Sequence, residues 1–121
     1  MERVLGIGGV FFRARDPKAL SAWYEQHLGV PRVPDGSGGG EEWRTDAGVT
    51  AFSPFSMTSK YFGRDEQQWM LNFRVRDLDA MAAQLRAAGI EIEVNPETYD
   101  FGRFARLHDP EGNPVELWQP A

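Results

Sequence analysis

The chain has 121 residues, of which 41% are hydrophobic, 12% aromatic and 26% charged, as is typical of one globular domain rather than a disordered chain. Its net charge of −5 disfavours nucleic acid as a partner, and no apolar run is long enough to cross a bilayer. Because cysteine is absent, disulfides and thiolate metal sites are excluded, and these absences together favour the cytoplasm.

The first part of the chain predicts a strand followed by a helix. Val4–Arg13 is apolar and aromatic and contains three glycines, a pattern that favours a strand. Asp16 is a suitable N-cap, and Pro17 then falls at the first helical position, where its missing N–H costs nothing. The predicted helix runs to Leu28 and ends at Gly29.

Short elements are predicted between this helix and the middle of the chain. Val30–Pro34 indicates a short strand or a loop, and the glycine-rich Asp35–Gly40 indicates a flexible turn. Two further strands are predicted at Glu42–Thr45 and Val49–Ser53, and a polar connection, residues 56–68, follows them.

The second half repeats this layout. Trp69–Arg76 alternates apolar and polar residues, which predicts a strand with two different faces. Asp77 is expected to cap a helix over Leu78–Ala88 that ends at Gly89. Three more strands are predicted after it: Ile90–Val94, Gly102–His108 and Val115–Gln119.

The two halves match in sequence as well as in layout. Arg15-Asp16 precedes the first helix as Arg76-Asp77 precedes the second, and the segment 49–54 resembles the segment 115–120. A strand, a helix and three strands are therefore predicted twice. A ferredoxin-like α+β sandwich also has two helices, but its four strands leave too many strand candidates unused.

The turn Asp109–Pro114 and the strand after it carry a family resemblance. The run Asp-Pro-Glu-Gly-Asn-Pro-Val-Glu-Leu closely resembles the end of a glyoxalase module, and Gly9–Asp16 and Phe73–Asp79 resemble other parts of it. The chain is thus similar to the vicinal-oxygen-chelate superfamily of glyoxalases, bleomycin-resistance proteins and extradiol dioxygenases. This implies an α+β fold in which two βαβββ modules form a cupped mixed sheet. The single domain, 1–121, would comprise modules at about 1–55 and 69–121.

The resemblance also implies four positions for metal ligands, one on each of four strands. Carried over by register, these positions are Gly9, Thr50, Met70 and Glu116. Only Glu116 has a side chain that binds a divalent cation well, and one carboxylate does not replace the hydration shell of a metal. We therefore expect no metal and no other cofactor.

Alternation along the strands predicts which side chains face the pocket between the modules. The lining is aromatic with two arginines, which suits a small molecule with a ring or alkyl body and a polar or anionic end. Tyr99 and Arg103 are expected where a ligand enters. The predicted ligand-binding residues are Phe11, Arg13, Thr50, Phe52, Met70, Asn72, Arg74, Tyr99, Arg103 and Trp118. The alternative is that the aromatic residues only fill the cup and that the arginines extend to solvent or pair with Glu116.

Three functions remain open at this point, and whether the chain is an enzyme is among the open questions. The first is a metal-independent binding protein, similar to bleomycin-resistance proteins, for a small aromatic or cationic compound. The second is a metal-dependent lyase, isomerase or dioxygenase. The third is a metal-free enzyme in which Glu116 is the catalytic general base. By resemblance we expect a homodimer, with Tyr61 and Phe62 as dimer contacts in preference to a lid.

Overall fold

A computed structural model describes all residues, 1–121, and contains two helices and one four-stranded sheet. The elements, in chain order, are α1 (Pro17–Leu28), β1 (Leu71–Arg74), α2 (Leu78–Ala87), β2 (Glu93–Val94), β3 (Gly102–His108) and β4 (Pro114–Pro120). The sheet order is β1-β4-β3-β2, with β1 parallel to β4 and the other two pairs antiparallel. This confirms the predicted α+β class with a mixed sheet. Neither helix has the length and apolar character needed to span a membrane.

Both helices begin as their sequences predict. The Asp16 carboxylate accepts a hydrogen bond from Ala19 N at 3.1 Å, and that of Asp77 accepts one from Ala80 N at 3.0 Å. Such bonds satisfy backbone N–H groups that have no partner within the first helical turn. α1 ends at Gly29, whose φ of 71° is the left-handed conformation that glycine adopts without a Cβ penalty.

The hydrophobic core lies between the two helices and one face of the sheet. Alternation places Ala105 and Leu107 of β3 on this face together with Val115 and Leu117 of β4. Each helix contributes its apolar stripe. The buried core residues are Leu20, Tyr24, Leu78, Ala82, Leu85, Ile92, Ala105, Leu107, Val115 and Leu117.

The turn between β3 and β4 attaches α1 to the sheet. The buried Asp109 carboxylate accepts a hydrogen bond from Tyr24 Oη at 2.8 Å and also bonds within the turn to Glu111 N and Asn113. The Glu111 carboxylate accepts from the backbone N of Arg15 at 2.7 Å and of Asp16 at 3.0 Å. The turn that carries the family resemblance therefore holds the first half of the chain to the second.

The strands predicted in the first half are not formed, so that part of the prediction is wrong for the single chain. Residues 1–14 and 42–55 make no backbone–backbone hydrogen bond, and both stretches are largely exposed. Phe12 packs on Trp69 with ring centroids 4.8 Å apart, and Asp46 O accepts a hydrogen bond from Arg74. The apolar pattern of these stretches favours strands, but a ladder also needs a partner edge. The module boundaries at about 55 and 69 stay a prediction.

Candidate functional site

The face of the sheet opposite the helices presents two rows of side chains across β1, β4 and β3. Strand register aligns Asn72 with Glu116 and Glu116 with Arg106, which forms a polar row. The next row along the strands aligns Arg74 with Trp118 and Trp118 with Phe104. Because residues in register on adjacent strands lie side by side, these six side chains form one continuous surface, which we call the open face.

In the polar row, both oxygens of the Glu116 carboxylate accept hydrogen bonds. Asn72 Nδ2 donates to Oε1 at 2.7 Å, and the hydroxyl of Tyr61 donates to Oε2. The Arg106 guanidinium lies 4.5 Å from the centroid of the Tyr61 ring, a cation–π distance, and its Nη1 donates to Tyr61 O at 2.8 Å. Burial raises the pKa of Tyr61, and its hydrogen bond to Glu116 raises it further. Tyr61 therefore stays protonated as a donor at neutral pH.

An aromatic cluster continues from the second row. The rings of Phe104 and Trp118 are almost parallel, with centroids 6.3 Å apart, and Phe101 packs edge-on against Phe104 at 5.7 Å. Tyr99 stacks on Phe101 at 5.3 Å, and Trp118 Nε1 donates to Phe101 O at 2.8 Å. Phe101 nevertheless stays 59% exposed. The cluster is thus a rigid apolar surface in contact with solvent.

A tight turn brings Tyr99 and Phe101 onto this cluster. Tyr99 and Gly102 exchange both backbone hydrogen bonds at 3.0 Å. Gly102 has a φ of +130°, and a Cβ there would collide with the backbone carbonyl of Gln119. A glycine is therefore required where the turn joins β3.

The structure unites only part of the predicted ligand-binding set. Asn72, Arg74 and Trp118 lie on the open face with Glu116, and Tyr99 joins them through the aromatic cluster. Met70 lies half-buried just before β1. The predicted residues from the first half are exposed and make no aromatic pair or ion pair with the open face: Phe11, Arg13, Thr50 and Phe52.

Arg103 requires a correction, because it lies on the helix-covered side of the sheet. Alternation along β3 places it with Ala105 and Leu107, and its guanidinium forms two hydrogen bonds, 3.0 and 3.1 Å long, to the Asp79 carboxylate of α2. These hydrogen bonds hold the pKa of Asp79 below its ordinary value. Arg103 was expected where a ligand enters, whereas its guanidinium pairs with α2.

Four residues of the site were missed: Tyr61, Phe101, Phe104 and Arg106. The signal for two of them was present, since Phe104 and Arg106 alternate with the apolar Ala105 and Leu107 in the predicted strand. Tyr61 was expected at a dimer contact, and its contact with Glu116 spans 55 positions of the chain. No local pattern predicts a contact of that kind.

The two arginines of the open face have no carboxylate partner. None of the four ion pairs involves Arg74 or Arg106. Arg74 Nη2 donates instead to the backbone carbonyl of Asp46 at 2.7 Å, and Arg106 Nε is buried without a partner. Arg13 and Arg74, the two arginines expected from sequence to line the pocket, form no ion pair with Glu116. The guanidiniums of Arg74 and Arg106 retain their charge for a further polar group.

The residues present do not fit a divalent metal. Of the positions implied by the resemblance, only Glu116 carries a carboxylate, and Asn72 and Tyr61 already bond to its two oxygens. No three His, Asp or Glu side chains are grouped in a way that could hold an ion. A stable site needs several oxygen or nitrogen donors around one point.

Two shallow depressions lie elsewhere, on either side of Trp23 and Pro110. One is lined by Ile90, Glu91 and His108, and the other by Arg15 and Ala19. None of the predicted site residues lines either depression, so the open face remains the candidate site.

Comparisons with known proteins agree with this fold. The sequence profile of the glyoxalase-like domain matches residues 9–118. The antibiotic binding protein TnmS3 from Streptomyces sp. CB03234 is 23% identical, with a TM-score of 0.56 over 88% of each chain. A putative glyoxalase family protein from Bacillus anthracis is 21% identical, with a TM-score of 0.55 over 86% of this chain and 84% of the other.

A search of curated proteins finds no match. The structural similarities below 25% identity show a shared fold, and the profile match extends over nearly the whole chain. This chain belongs to the glyoxalase-like domain family of the vicinal-oxygen-chelate superfamily.

Proposed function

We propose that the protein binds a small organic molecule with an aromatic body on the open face, without a catalytic metal. The observation that carries this proposal is the contact between an exposed aromatic cluster and a polar row. Trp118, Phe104 and Phe101 offer apolar area, and Arg74 and Arg106 offer charge without an acidic partner. Ligand sites combine such apolar area with a few placed polar groups. The cytoplasmic location stays a prediction.

Two further considerations support a binding role. The similar protein TnmS3 is described as an antibiotic binding protein, which makes drug-like aromatic compounds suitable first probes. Both Glu116 oxygens already accept hydrogen bonds, so nothing in the geometry favours Glu116 as a base over Glu116 as an acceptor. Fold alone does not decide the chemistry, so the preference for binding over catalysis rests on the site.

The binding proposal predicts that aromatic probes contact Trp118. We expect anilinonaphthalenesulfonate, an aromatic anion, to shift the Trp118 indole N–H resonance, which a Trp118→Phe variant assigns. Removing the exposed ring in Phe101→Ala should weaken binding at least about tenfold, since covering an aromatic side chain with a ligand contributes roughly 1.5–3 kcal/mol. Titration of the wild type and variant by NMR measures both effects.

The matched control is Val33→Ala, which removes a side chain that is 81% exposed and outside the site. It should leave the affinity unchanged. Cationic bleomycin, titrated in the same way, tests the opposite ligand charge. If neither probe shifts the Trp118 resonance, or if Phe101→Ala binds as the wild type does, the open face is not the ligand site.

We also propose that two copies form a homodimer through the first half of the chain. Residues 1–14 leave their backbone groups unpaired and expose Val4, Leu5 and Ile7 at 86%, 105% and 62%. An extended edge with exposed apolar side chains is a template for pairing with another chain. A second copy supplies such an edge by symmetry.

Sedimentation tests this assembly. We expect the wild type to sediment at twice its 13.6 kDa chain mass, and Leu5→Lys to shift it towards the monomer because a charge resists burial. Met57→Lys is the matched control, since Met57 is 94% exposed but lies in the connection. A monomeric wild type would contradict the dimer.

A further inference from the structure

Tyr61 covers the polar row although it belongs to neither a helix nor a strand. Its segment, residues 56–68, contains no helix and no strand. The segment is held mainly by short-range bonds, such as Gly63 N to Lys60 O at 3.2 Å and Tyr61 N to Ser59 Oγ at 3.2 Å. Tyr61 itself is 40% exposed. Its position over the sheet therefore depends on the contacts that its own side chain and carbonyl make.

Those contacts form a complete recognition site for a phenol. The hydroxyl donates to Glu116, the ring lies beneath the Arg106 guanidinium at 4.5 Å, and Asn72 fixes the other carboxylate oxygen at 2.7 Å. A carboxylate acceptor at the ring edge and a cation over the ring face are the two polar interactions that a phenol makes best.

The polar row that contacts the Tyr61 ring belongs to the sheet, whereas Tyr61 itself belongs to a weakly held segment. Asn72, Glu116 and Arg106 are in register on three adjacent strands, so the ladder fixes their spacing whether or not Tyr61 is present. Outside the sheet, Tyr61 stacks on Phe55, which is itself 47% exposed. Segments with few buried contacts open at the lowest free-energy cost.

We propose that Tyr61 occupies a ligand subsite as a stand-in, and that a phenolic group of the ligand displaces it and opens residues 56–66 as a lid, while the buried Gln67 stays in place. This inference rests on the proposed function and names the chemical class of the group bound: an aromatic ring carrying a free hydroxyl. The ligand hydroxyl then donates to Glu116, and its ring lies beneath Arg106.

The exchange replaces the hydroxyl and ring contacts of Tyr61 with contacts of the same kind, and it frees Arg106 Nη1 from the carbonyl of Tyr61. The remainder of the ligand then gains area on Phe104 and Trp118, which Tyr61 leaves uncovered. Arg106 Nε, buried without a partner, is available to a further acceptor next to the phenol ring. An aryl methyl ether lacks the donor and leaves the Glu116 oxygen unpaired.

A matched pair of probes tests the subsite itself. para-Cresol has the tyrosine side chain's own ring and hydroxyl, and para-methylanisole has the same body without the donor. In Tyr61→Ala we expect para-cresol to bind at least about tenfold more tightly than para-methylanisole, the discrimination expected from a hydrogen bond to a charged group. Adding Glu116→Ala should remove that preference. Equal binding of both probes to Tyr61→Ala would overturn the proposal.

The wild type tests whether the natural segment opens. Trypsin can cleave after Lys60 and Arg64, which flank Tyr61. If a phenol displaces Tyr61, saturating para-cresol should accelerate cleavage at these two sites, at least about threefold, by raising the population of the open segment. para-Methylanisole should not. Unchanged or slower cleavage in para-cresol would show that the phenol does not displace Tyr61, which would contradict the opening of the segment.

The Tyr61→Phe variant and a separate measurement on Trp118 complete the test. Tyr61→Phe removes the hydroxyl that competes for Glu116 but keeps the ring, so para-cresol should bind it more tightly than the wild type and less tightly than Tyr61→Ala. Its melting temperature checks that the fold is intact. Trp118 resonance shifts with anilinonaphthalenesulfonate report the open face independently. If those shifts occur but para-cresol shows no preference, the phenol subsite fails and the binding function stands.

Discussion

Asp109→Ala should destabilise the protein by on the order of 3 kcal/mol, because it leaves several buried hydrogen-bond donors without an acceptor. Asp109 is 4% exposed, and its carboxylate accepts hydrogen bonds from Tyr24 Oη, Glu111 N, Asn113 N and Asn113 Nδ2. Removing it leaves these donors with no acceptor in a buried place, and each such group costs about 1–3 kcal/mol. Urea unfolding measures the difference.

Two control variants distinguish the loss of the hydrogen bonds in the turn from the loss of a negative charge. Asp100→Ala removes an exposed carboxylate that forms no ion pair and should change the free energy of unfolding by less than about 0.5 kcal/mol. Tyr24→Phe deletes only the bond that joins α1 to the turn and should cost about 1 kcal/mol. If Asp109→Ala costs no more than Tyr24→Phe, the bonds within the turn contribute little.

A double-mutant cycle extends this prediction to the attachment of α1. Tyr24 and Asp109 share one hydrogen bond of 2.8 Å, so their substitutions should be less than additive when combined. An additive result would mean that the bond contributes nothing to the joining of the two halves.

The features predicted well from sequence are those fixed by residues close together in the chain. Asp16 with Pro17 and Asp77 with Leu78 begin their helices as expected, because a cap bond spans three positions. The strand Gly102–His108 has the predicted bounds, because alternation and a strong turn are both local signals. The placement of Asn72 and Arg74 beside Glu116 and Trp118 follows from the same alternation.

The features predicted poorly depend on partners distant in sequence. Val4–Arg13 has the composition of a strand, but composition does not specify which edge it pairs with. Phe11 and Phe52 were placed in the pocket on the assumption that such edges form within one chain, and both are exposed. Tyr61 lies in a segment without periodicity, so only the folded arrangement reveals its contact with Glu116.

Tyr24 should also make the protein unstable to alkali. Burial raises the pKa of Tyr24 far above its ordinary value of 10.0, and the hydrogen bond to Asp109 adds to this effect. Above about pH 10 an unfolded chain ionises this hydroxyl whereas the folded chain keeps it protonated, so the unfolded state binds fewer protons. The free energy of unfolding is therefore unaffected by this group below about pH 10 and falls by up to about 1.4 kcal/mol per pH unit above it.

Urea unfolding of the wild type and Tyr24→Phe, from about pH 8 to about pH 11, should give two curves that converge as the pH rises. Because the two proteins differ only in this hydroxyl, the difference between their curves isolates Tyr24. Tyr61→Phe gives the matching comparison for a half-exposed tyrosine, whose pKa is raised for the same reasons, and its curve should converge with that of the wild type more weakly. Parallel curves for Tyr24→Phe would mean that the hydroxyl ionises as readily in the folded protein as in the unfolded chain, and that its bond to Asp109 does not hold α1 against the turn.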